Sequence, residues 1–375
     1  MDKKHKKHKL TYFITGGGTG GHIYPALAIF EELLKRDTTK DIYYIGNRKN
    51  LEYGIIRSKN YKFLDVDVEG MPRKADPHFF MWGVKLFLAV IKSCFYILKY
   101  RPDAIFGTGG YVSAPTVMAG WLLHVPYVLH DCDAKPGLVT RKLAPGAKSI
   151  SLAFDSAKNY LNNKKLYVNG NPIRKEFRTV TREQAVKNLG IENRLTILIM
   201  GGSQGANSIN SAAVQILEQL SKEGLQVIFQ TGKRHFSKVN EELLKIYPNY
   251  KRDKNLIVRP YFEDMVSVLK ASDIAVSRSG SLSLSEICAS GVASILIPYP
   301  HAAADHQRIN AKFLSMNNAA IYLEDSQATP EKLYSCLSEL AHDQEKLDTI
   351  KKNASRMARL NGVDKIVMQL NEGLV

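Results

Sequence analysis

Short apolar runs that do not alternate with polar residues recur along this 375-residue chain, and longer amphipathic stretches separate them. In the first half the runs are LTYFIT (10–15), DIYYIG (41–46), DAIFGTGG (103–110) and PYVLHD (126–131). In the second half they are LTILIMGG (195–202), LQVIFQTG (225–232), NLIVRPY (255–261), DIAVSRSG (273–280) and ASILIPY (293–299). Runs of this length without alternation suit strands covered on both faces, as in parallel sheets. ALAIFEELLKR (26–36) and SINSAAVQILEQLSKEG (208–224) read as helices between them. Two strand–helix series predict an α/β protein with two doubly wound domains. The join falls in VNGNPIRKEF (168–177), where Gly170 and Pro172 interrupt the pattern.

Composition agrees with two cores, since 375 residues at 45% hydrophobic content exceed what one core usually holds. The formal net charge is +16, and five lysines with one aspartate in the first nine residues supply +4 of it. The body is therefore basic too, which points to anionic partners: nucleic acid, a membrane surface or phosphorylated substrates. No basic motif interleaved with aromatics is present, which disfavours nucleic acid. Cys94, Cys132, Cys288 and Cys336 are scattered and form no CxxC, so neither a zinc site nor a disulfide framework is indicated. A reducing cytoplasm fits. The start MDKKHKKHK reads as a solubilising tail with weak attraction for anionic lipid, and LTYFIT after it is too short for a signal peptide.

Three glycine loops carry the candidate chemistry. GGGTGGH (16–22) follows the first strand, GTGGYVSAP (107–115) a later one, and GGSQGAN (201–207) opens the second series. Without Cβ atoms, backbone N–H groups can converge on an anion at the positive end of a helix. Gly16, Gly18 and Gly21 have GxGxxG-like spacing, which dinucleotide-binding dehydrogenases share. The second strand, however, ends in YYIGNRKN, with no acid at its tip to hold a ribose. Three such loops predict heavily phosphorylated ligands.

The segments TGGGTGGHIYPALAI, GTGGYVSAP, GNPIR, GGSQGAN and SRSGSLSLSEICASG resemble, in order and spacing, those of the MurG family over about residues 10–325. The resemblance implies the GT-B fold, two Rossmann-like domains with parallel sheets facing across a cleft. It also implies an inverting transferase that moves N-acetylglucosamine from UDP-N-acetylglucosamine to undecaprenyl-diphosphate-linked muramoyl-pentapeptide (lipid I). The product is lipid II, for peptidoglycan. The domains expected are a tail at 1–9, an acceptor- and membrane-binding domain at 10–168, a linker at 169–176, a UDP-sugar domain at 177–350, and a helix at 351–375 returning to the first domain.

By the same resemblance, Gly17, Gly18, Thr19, Gly20, Gly21, Gly109, Gly110 and Tyr111 hold the acceptor diphosphate. His22 is the catalytic base, kept neutral by the helix start. Thr19, Gly20, Gly21, Asp133, Arg174, Ser203, Phe262, Ser281, Leu282, Ser283, Glu286 and Gln307 hold the donor. Within that set Glu286 takes the ribose hydroxyls, Arg174 and Ser203 lie near the diphosphate, the backbone of Phe262 faces uracil, and Gln307 with Asn310 reads the sugar. His306 beside them is either structural or a support behind the sugar-reading residues. No DxD pair ends a strand, so no obligatory metal is expected and helix starts and basic side chains would stabilise the leaving UDP. One segment departs from the family. HDCDAKPG (130–137) stands where HEQN is usual, so Asp133 replaces an asparagine and cannot donate an amide hydrogen. This keeps a second possibility open, a GT-B enzyme acting on diacylglycerol or another polyprenyl diphosphate.

The most apolar stretch is residues 77–102, PHFFMWGVKLFLAVIKSCFYILKYRP. Lys85, Lys92 and Lys99 recur every seven residues and form one narrow stripe on a helix. Lysines and the strand that follows argue against a membrane-spanning helix. An interfacial helix fits, with Phe79, Phe80, Trp82 and Phe87 in lipid and Lys85 and Lys92 at an anionic headgroup layer. The expected location is peripheral, on the cytoplasmic face of the bacterial membrane.

Overall fold

The structure, a computed structural model, describes residues 9–72, 77–202 and 204–374. The chain forms two compact units, Met1–Ile173 with Asn361–Val375, and Arg174–Leu360. In the first unit the strands are β1 Leu10–Thr15, β2 Thr39–Gly46, β3 Phe63–Asp65, β4 Ala104–Gly107, β5 Tyr127–Asp131, β6 Ser149–Leu152 and β7 Leu166–Val168. They make one sheet in the order β3-β2-β1-β4-β5-β6-β7, and every pairing is parallel. In the second unit β8 Thr196–Met200, β9 Gln226–Gln230, β10 Leu256–Arg259, β11 Ile274–Ser277, β12 Ala293–Leu296 and β13 Ile321–Tyr322 make a parallel sheet in the order β10-β9-β8-β11-β12-β13. In both sheets the order reverses beside the first strand, and at such switch points α/β sheets bind ligands outside the carboxyl ends of the strands.

All nine strands read from the sequence are present. β3, β6, β7 and β13 were not legible: they have two to four residues, and three of them are only partly buried. The first helix, α1, runs Gly20–Leu34, not 26–36. It starts six residues early because Gly20 and Gly21 adopt helical backbone at its first turn. The other helices of the first unit used below are α2 Leu51–Ser58, α3 Pro77–Tyr100 and α4 Gly110–Leu122.

The chain re-enters the first unit at Gly362–Asn371, a shorter helix than residues 351–375. Residues 344–357 form a separate helix, whose Leu347 and Ile350 are buried in the second unit's core. Val363, Ile366, Val367 and Leu370 join Leu10, Tyr12, Ala26 and Phe30 in the first unit's core. Gly362 makes this re-entry tight. A Cβ there would lie 3.0–3.1 Å from the carbonyl oxygens of Asn169, Gly170 and Asn171, the segment by which the chain leaves the unit.

Candidate functional site

In the first unit the site is assembled at the carboxyl ends of β1, β2, β4 and β5. The β1–α1 loop is packed on all sides. A Cβ on Gly16 would lie 1.9 Å from Thr108 Oγ1, and one on Gly17 2.5 Å from Glu52 Oε1. Glu52, on α2, is fully buried. Its carboxylate accepts from the N–H of Gly18 at 3.2 Å and of Asn47 at 3.1 Å. Asn50 donates to Tyr111 Oη at 2.9 Å, and Tyr44 Oη donates to the Gly16 carbonyl at 2.6 Å. The N–H of Gly18, expected on a phosphate, is therefore already held by Glu52. The N–H groups that remain for an anion are those opening α1, which have no acceptor within the helix. Gly20 and Gly21 carry them.

His22 lies on the first turn of α1. Its Nδ1 is 3.1 Å from Thr19 Oγ1, and its carbonyl accepts from Thr108 Oγ1 at 2.7 Å. The imidazole stacks against the next loop. A Cβ on Gly110 would be 3.0 Å from His22 Nδ1, and one on Gly109 3.6 Å from its Cδ2. Both glycines have positive φ, +71° at Gly110 and +83° at Gly109, which disfavours a side chain at either, and at Gly110 the close imidazole adds a steric bar. The structure thus brings Thr19, Gly20, Gly21, His22, Gly109, Gly110 and Tyr111 together.

β5 delivers the segment that departs from the family. His130 is buried, with Nε2 2.9 Å from Asn171 Oδ1 and Nδ1 3.2 Å from Ser151 Oγ. Burial pushes its pKa down to about 4, so it stays neutral. Asp131 is pushed up to about 7 by burial and then by the nearby charge of Asp133. Its oxygens accept from the N–H groups of Asp133 at 3.2 Å and Gly137 at 3.0 Å. Asp133 is half-buried just beyond the strand.

In the second unit the loop after β8 packs backbone on backbone. Gly205 has φ +80°, and a Cβ there would lie 2.1 Å from the Thr231 carbonyl. Ser203 lies outside the described residues. The N–H of Phe262 donates to Gln230 Oε1 at 2.9 Å, leaving the backbone at that position its carbonyl for a base. Gly280 caps the helix Ser281–Ser290, with no atom within 4 Å of where its Cβ would be. Ser281, Leu282 and Ser283 form its first turn, whose N–H groups have no acceptor within the helix. Glu286 is the sixth residue of that helix, beyond the turn where the helix dipole would explain a carboxylate. Its Oε1 is 3.2 Å from Arg174 Nη2. Burial raises the Glu286 pKa and Arg174 opposes that rise. Gln307 Oε1 accepts from the Tyr299 N–H at 3.0 Å, so its amide hydrogens are what it can offer a sugar. Asn310 is buried and donates to the Ser279 carbonyl at 3.4 Å. His306 Nδ1 contacts the Ala303 carbonyl at 2.6 Å, a structural contact.

Two residues that shape these loops were not singled out from the sequence. Glu52 sits in an ordinary amphipathic helix and reveals itself only by long-range contact. Arg278 stands inside SRSGS and was passed over for its serines. Its guanidinium donates to Ser208 Oγ at 3.0 Å and to the carbonyls of Ile297 and Pro298 at 3.1 Å, and it pairs with Asp325. It therefore ties four segments of the second rim together.

α3 presents a long apolar face to solvent, with Phe80 77%, Phe87 63% and Leu98 65% exposed. Phe79 is exposed beside them, and Trp82 Nε1 donates to the Glu69 carbonyl at 3.0 Å. Of the lysine stripe, Lys85 pairs with Glu69 and Lys92 lies 3.5 Å from Asp65. The acids of residues 65–69 run alongside the helix, so these lysines are tied to the protein's own surface.

Two Rossmann-like units, each with a glycine loop and a helix start at the carboxyl rim of a parallel sheet, have the architecture of the GT-B fold. Residues 12–152 match the glycosyltransferase family 28 N-terminal domain and residues 196–369 its C-terminal domain. The chain is 35% identical over 355 residues to the UDP-N-acetylglucosamine--N-acetylmuramyl-(pentapeptide) pyrophosphoryl-undecaprenol N-acetylglucosamine transferase of Bacillus pumilus, covering 93% of this chain and 94% of that one. To the protein of that name from Halothermothrix orenii it is 36% identical over 350 residues, covering 92% and 94%. The crystal structure of Acinetobacter baumannii MurG superposes with a TM-score of 0.78 at 25% identity, covering 97% of this chain and 99% of that one. The chain belongs to the MurG family.

Proposed function

We infer that the protein transfers N-acetylglucosamine from UDP-N-acetylglucosamine to lipid I, forming lipid II. The carrying observation is the identity of about 35% to transferases of that name over more than nine-tenths of the chain. The local geometry supports it. Gly20 and Gly21 open α1, and His22 lies between them and Gly109 and Gly110. In the reaction the acceptor sugar hydroxyl attacks C1 of N-acetylglucosamine. The new C1–O bond forms as the bond from C1 to the UDP oxygen breaks, inverting C1. The hydroxyl proton passes to His22, and UDP departs with the bonding electron pair.

On this reading Glu286 takes the ribose hydroxyls, the first-turn N–H groups at Ser281–Ser283 meet the diphosphate, and Gln307 donates to the sugar. Ser203 belongs to the same donor set. Stabilisation of the leaving group comes from helix starts and basic side chains, so no metal is needed and activity should persist in EDTA. The apolar face of α3 rests on the membrane that holds the lipid acceptor, which places the enzyme peripherally on the cytoplasmic leaflet. Phosphorylated substrates and anionic lipid, not nucleic acid, account for the basic charge.

The test is transfer of labelled N-acetylglucosamine from its UDP donor to a lipid I analogue by wild type and His22→Ala. Wild-type transfer that falls about 10²–10⁴-fold in the variant, with UDP binding kept, supports both the activity and the base. Full activity in the variant removes His22 from catalysis. A wild type that binds UDP-sugar but ignores lipid I favours the second reading, another lipid acceptor, for which Asp133 in place of an asparagine is the specific ground.

A further inference from the structure

Glu52 is a buried acid that the transfer step above does not use. It is fully buried, and every hydrogen-bond donor to it among the described residues is a neutral amide. These are the N–H of Gly18 at 3.2 Å, the N–H of Asn47 at 3.1 Å and Asn50 Nδ2 at 3.3 Å. Two glycines clear its space. A Cβ on Gly46 would lie 2.9 Å from Glu52 Cγ, and one on Gly17 would lie 2.5–2.9 Å from all three heavy atoms of the carboxyl group. The Gly17–Gly18 corner of the first loop therefore already wraps an anion, and that anion belongs to the protein. The same acid reaches the second loop through Asn50, whose amide also donates to Tyr111 Oη at 2.9 Å. The Tyr111 ring in turn closes on the first loop, with Cε1 2.9 Å from where a Cβ on Gly18 would be.

We propose that Glu52 is a positioning residue for the acceptor: it is the resident anion of the first glycine loop, fills the corner an outside phosphate would otherwise take, and confines the acceptor diphosphate to the N–H groups of Gly20 and Gly21 beside His22. The inference rests on the acceptor reading above. A glycine loop that opens a helix presents several N–H groups in a row to an anion. A diphosphate free to choose among them sits in more than one register. A carboxylate fixed at one end removes the choice, because a second anion there meets a like charge and finds its N–H taken. Register matters to the transfer, since a misplacement of about 1 Å at a reacting centre costs about 10²-fold. Through Asn50 and Tyr111 the same carboxylate holds the second loop against the first. His22, packed against Gly109 and Gly110, keeps its place between them.

Steady-state transfer to a lipid I analogue by the full-length protein tests this, with UDP affinity followed by titration calorimetry. Glu52→Gln keeps the shape and removes the charge. Its KM for lipid I should rise about tenfold or more, the cost of leaving buried amide donors unmatched, while its affinity for UDP stays that of wild type. The vacated corner should also admit an outside anion. Sulfate should therefore inhibit the variant, in competition with lipid I, at about tenfold lower concentration than wild type. Asn50→Ala cuts only the link to Tyr111 and should raise the KM for lipid I by about fivefold or less, the worth of one neutral hydrogen bond. It carries the test if the Gln variant folds poorly, and an unchanged KM there overturns the inference. Sulfate inhibition equal in wild type and Glu52→Gln overturns it whatever the KM, as does a variant that loses kcat and Tm with its KM for lipid I unchanged, which makes Glu52 structural only. A wild type that binds UDP but transfers nothing to lipid I overturns the acceptor reading together with the inference.

Discussion

Gly21 and Gly205 sit in glycine loops of the same kind, one in each unit, and are glycine for different reasons. At Gly205 the fold itself forbids a side chain: φ is +80° and a Cβ would stand 2.1 Å from the Thr231 carbonyl. At Gly21 the fold has no objection. It lies within α1, and a Cβ there would meet only Thr19 Oγ1 at 3.7 Å. Glycine costs roughly 0.5–1 kcal/mol relative to alanine in a helix. An undemanded glycine in a helix start is explained by something that approaches from outside. Gly280, with open space at its Cβ position and an ordinary φ of −64°, is the second unit's equivalent. A glycine motif therefore mixes two kinds of position, and only the structure separates those that serve the loop from those that serve a ligand.

The largest effect should come from Gly205→Ala. Left-handed backbone costs an alanine about 1–2 kcal/mol, and overpacking a further 1–3 kcal/mol. A loss of about 2–5 kcal/mol should appear as a fall in Tm for the second unit, read by calorimetry. A melting profile equal to wild type would mean the loop relaxes freely, and the contrast with Gly21 would collapse.

The two rims also differ in how they keep charge. The second pairs it, Arg278 with Asp325. The first buries His130 and Asp131 side by side, and their effects on stability oppose each other. The folded pKa of His130 is about 4, below its ordinary 6.5. Between those values the unfolded chain binds more protons, so stability rises with pH. The folded pKa of Asp131 is about 7, above its ordinary 3.8. In that window the folded chain binds more protons, so stability falls as pH rises. In wild type the two slopes largely cancel between pH 4 and 6.5. Asp131→Asn should unmask His130, and the variant should gain on the order of 4 kcal/mol relative to wild type between pH 4 and 7. Urea titrations at several pH values check this, and parallel curves for the two proteins would contradict it.

A smaller effect, and the one that tests the ligand half of the comparison, belongs to Gly21→Ala. Its Tm should equal or slightly exceed that of wild type, by up to about 1 kcal/mol of stability. Its KM for the lipid acceptor should rise about tenfold, the loss expected when one charge-assisted hydrogen bond is lengthened. Wild-type kinetics in this variant would remove Gly21 from the acceptor site.

Much of this organisation was legible in the sequence. The unalternating runs located nine strands because strands buried on both faces cannot alternate. The glycine loop placed His22 at a helix start, although the helix opens inside the loop, at Gly20. The illegible parts share a cause. β13 has two residues and β3 has three, too few for any period to show. Glu52 lies 34 positions from the Gly18 N–H that it accepts, and Arg278 lies 70 from Ser208. Neither spacing leaves a local pattern. The lysine stripe on α3 was read correctly as a stripe, but its partners Glu69 and Asp65 lie on a neighbouring segment that helical periodicity does not register.

That stripe leads to the smallest expected change in stability. α3 and the buried helix Asn207–Lys222 are both amphipathic, but the latter covers its apolar face with the second sheet, whereas α3 leaves Phe80 and Phe87 in solvent. Residues already exposed contribute little to folding, so Phe80→Ser and Phe87→Ser should each shift stability by less than about 0.5 kcal/mol. Burial of a phenyl ring in lipid is worth about 1.5–3 kcal/mol, so each substitution should reduce partitioning onto phosphatidylglycerol vesicles by about tenfold. Because Lys85 and Lys92 are held by acids, raising the salt concentration should weaken vesicle binding less than either serine does. Vesicle binding that survives both substitutions but vanishes in salt would place the membrane contact on the remaining basic surface and leave the apolar face of α3 without a role in it.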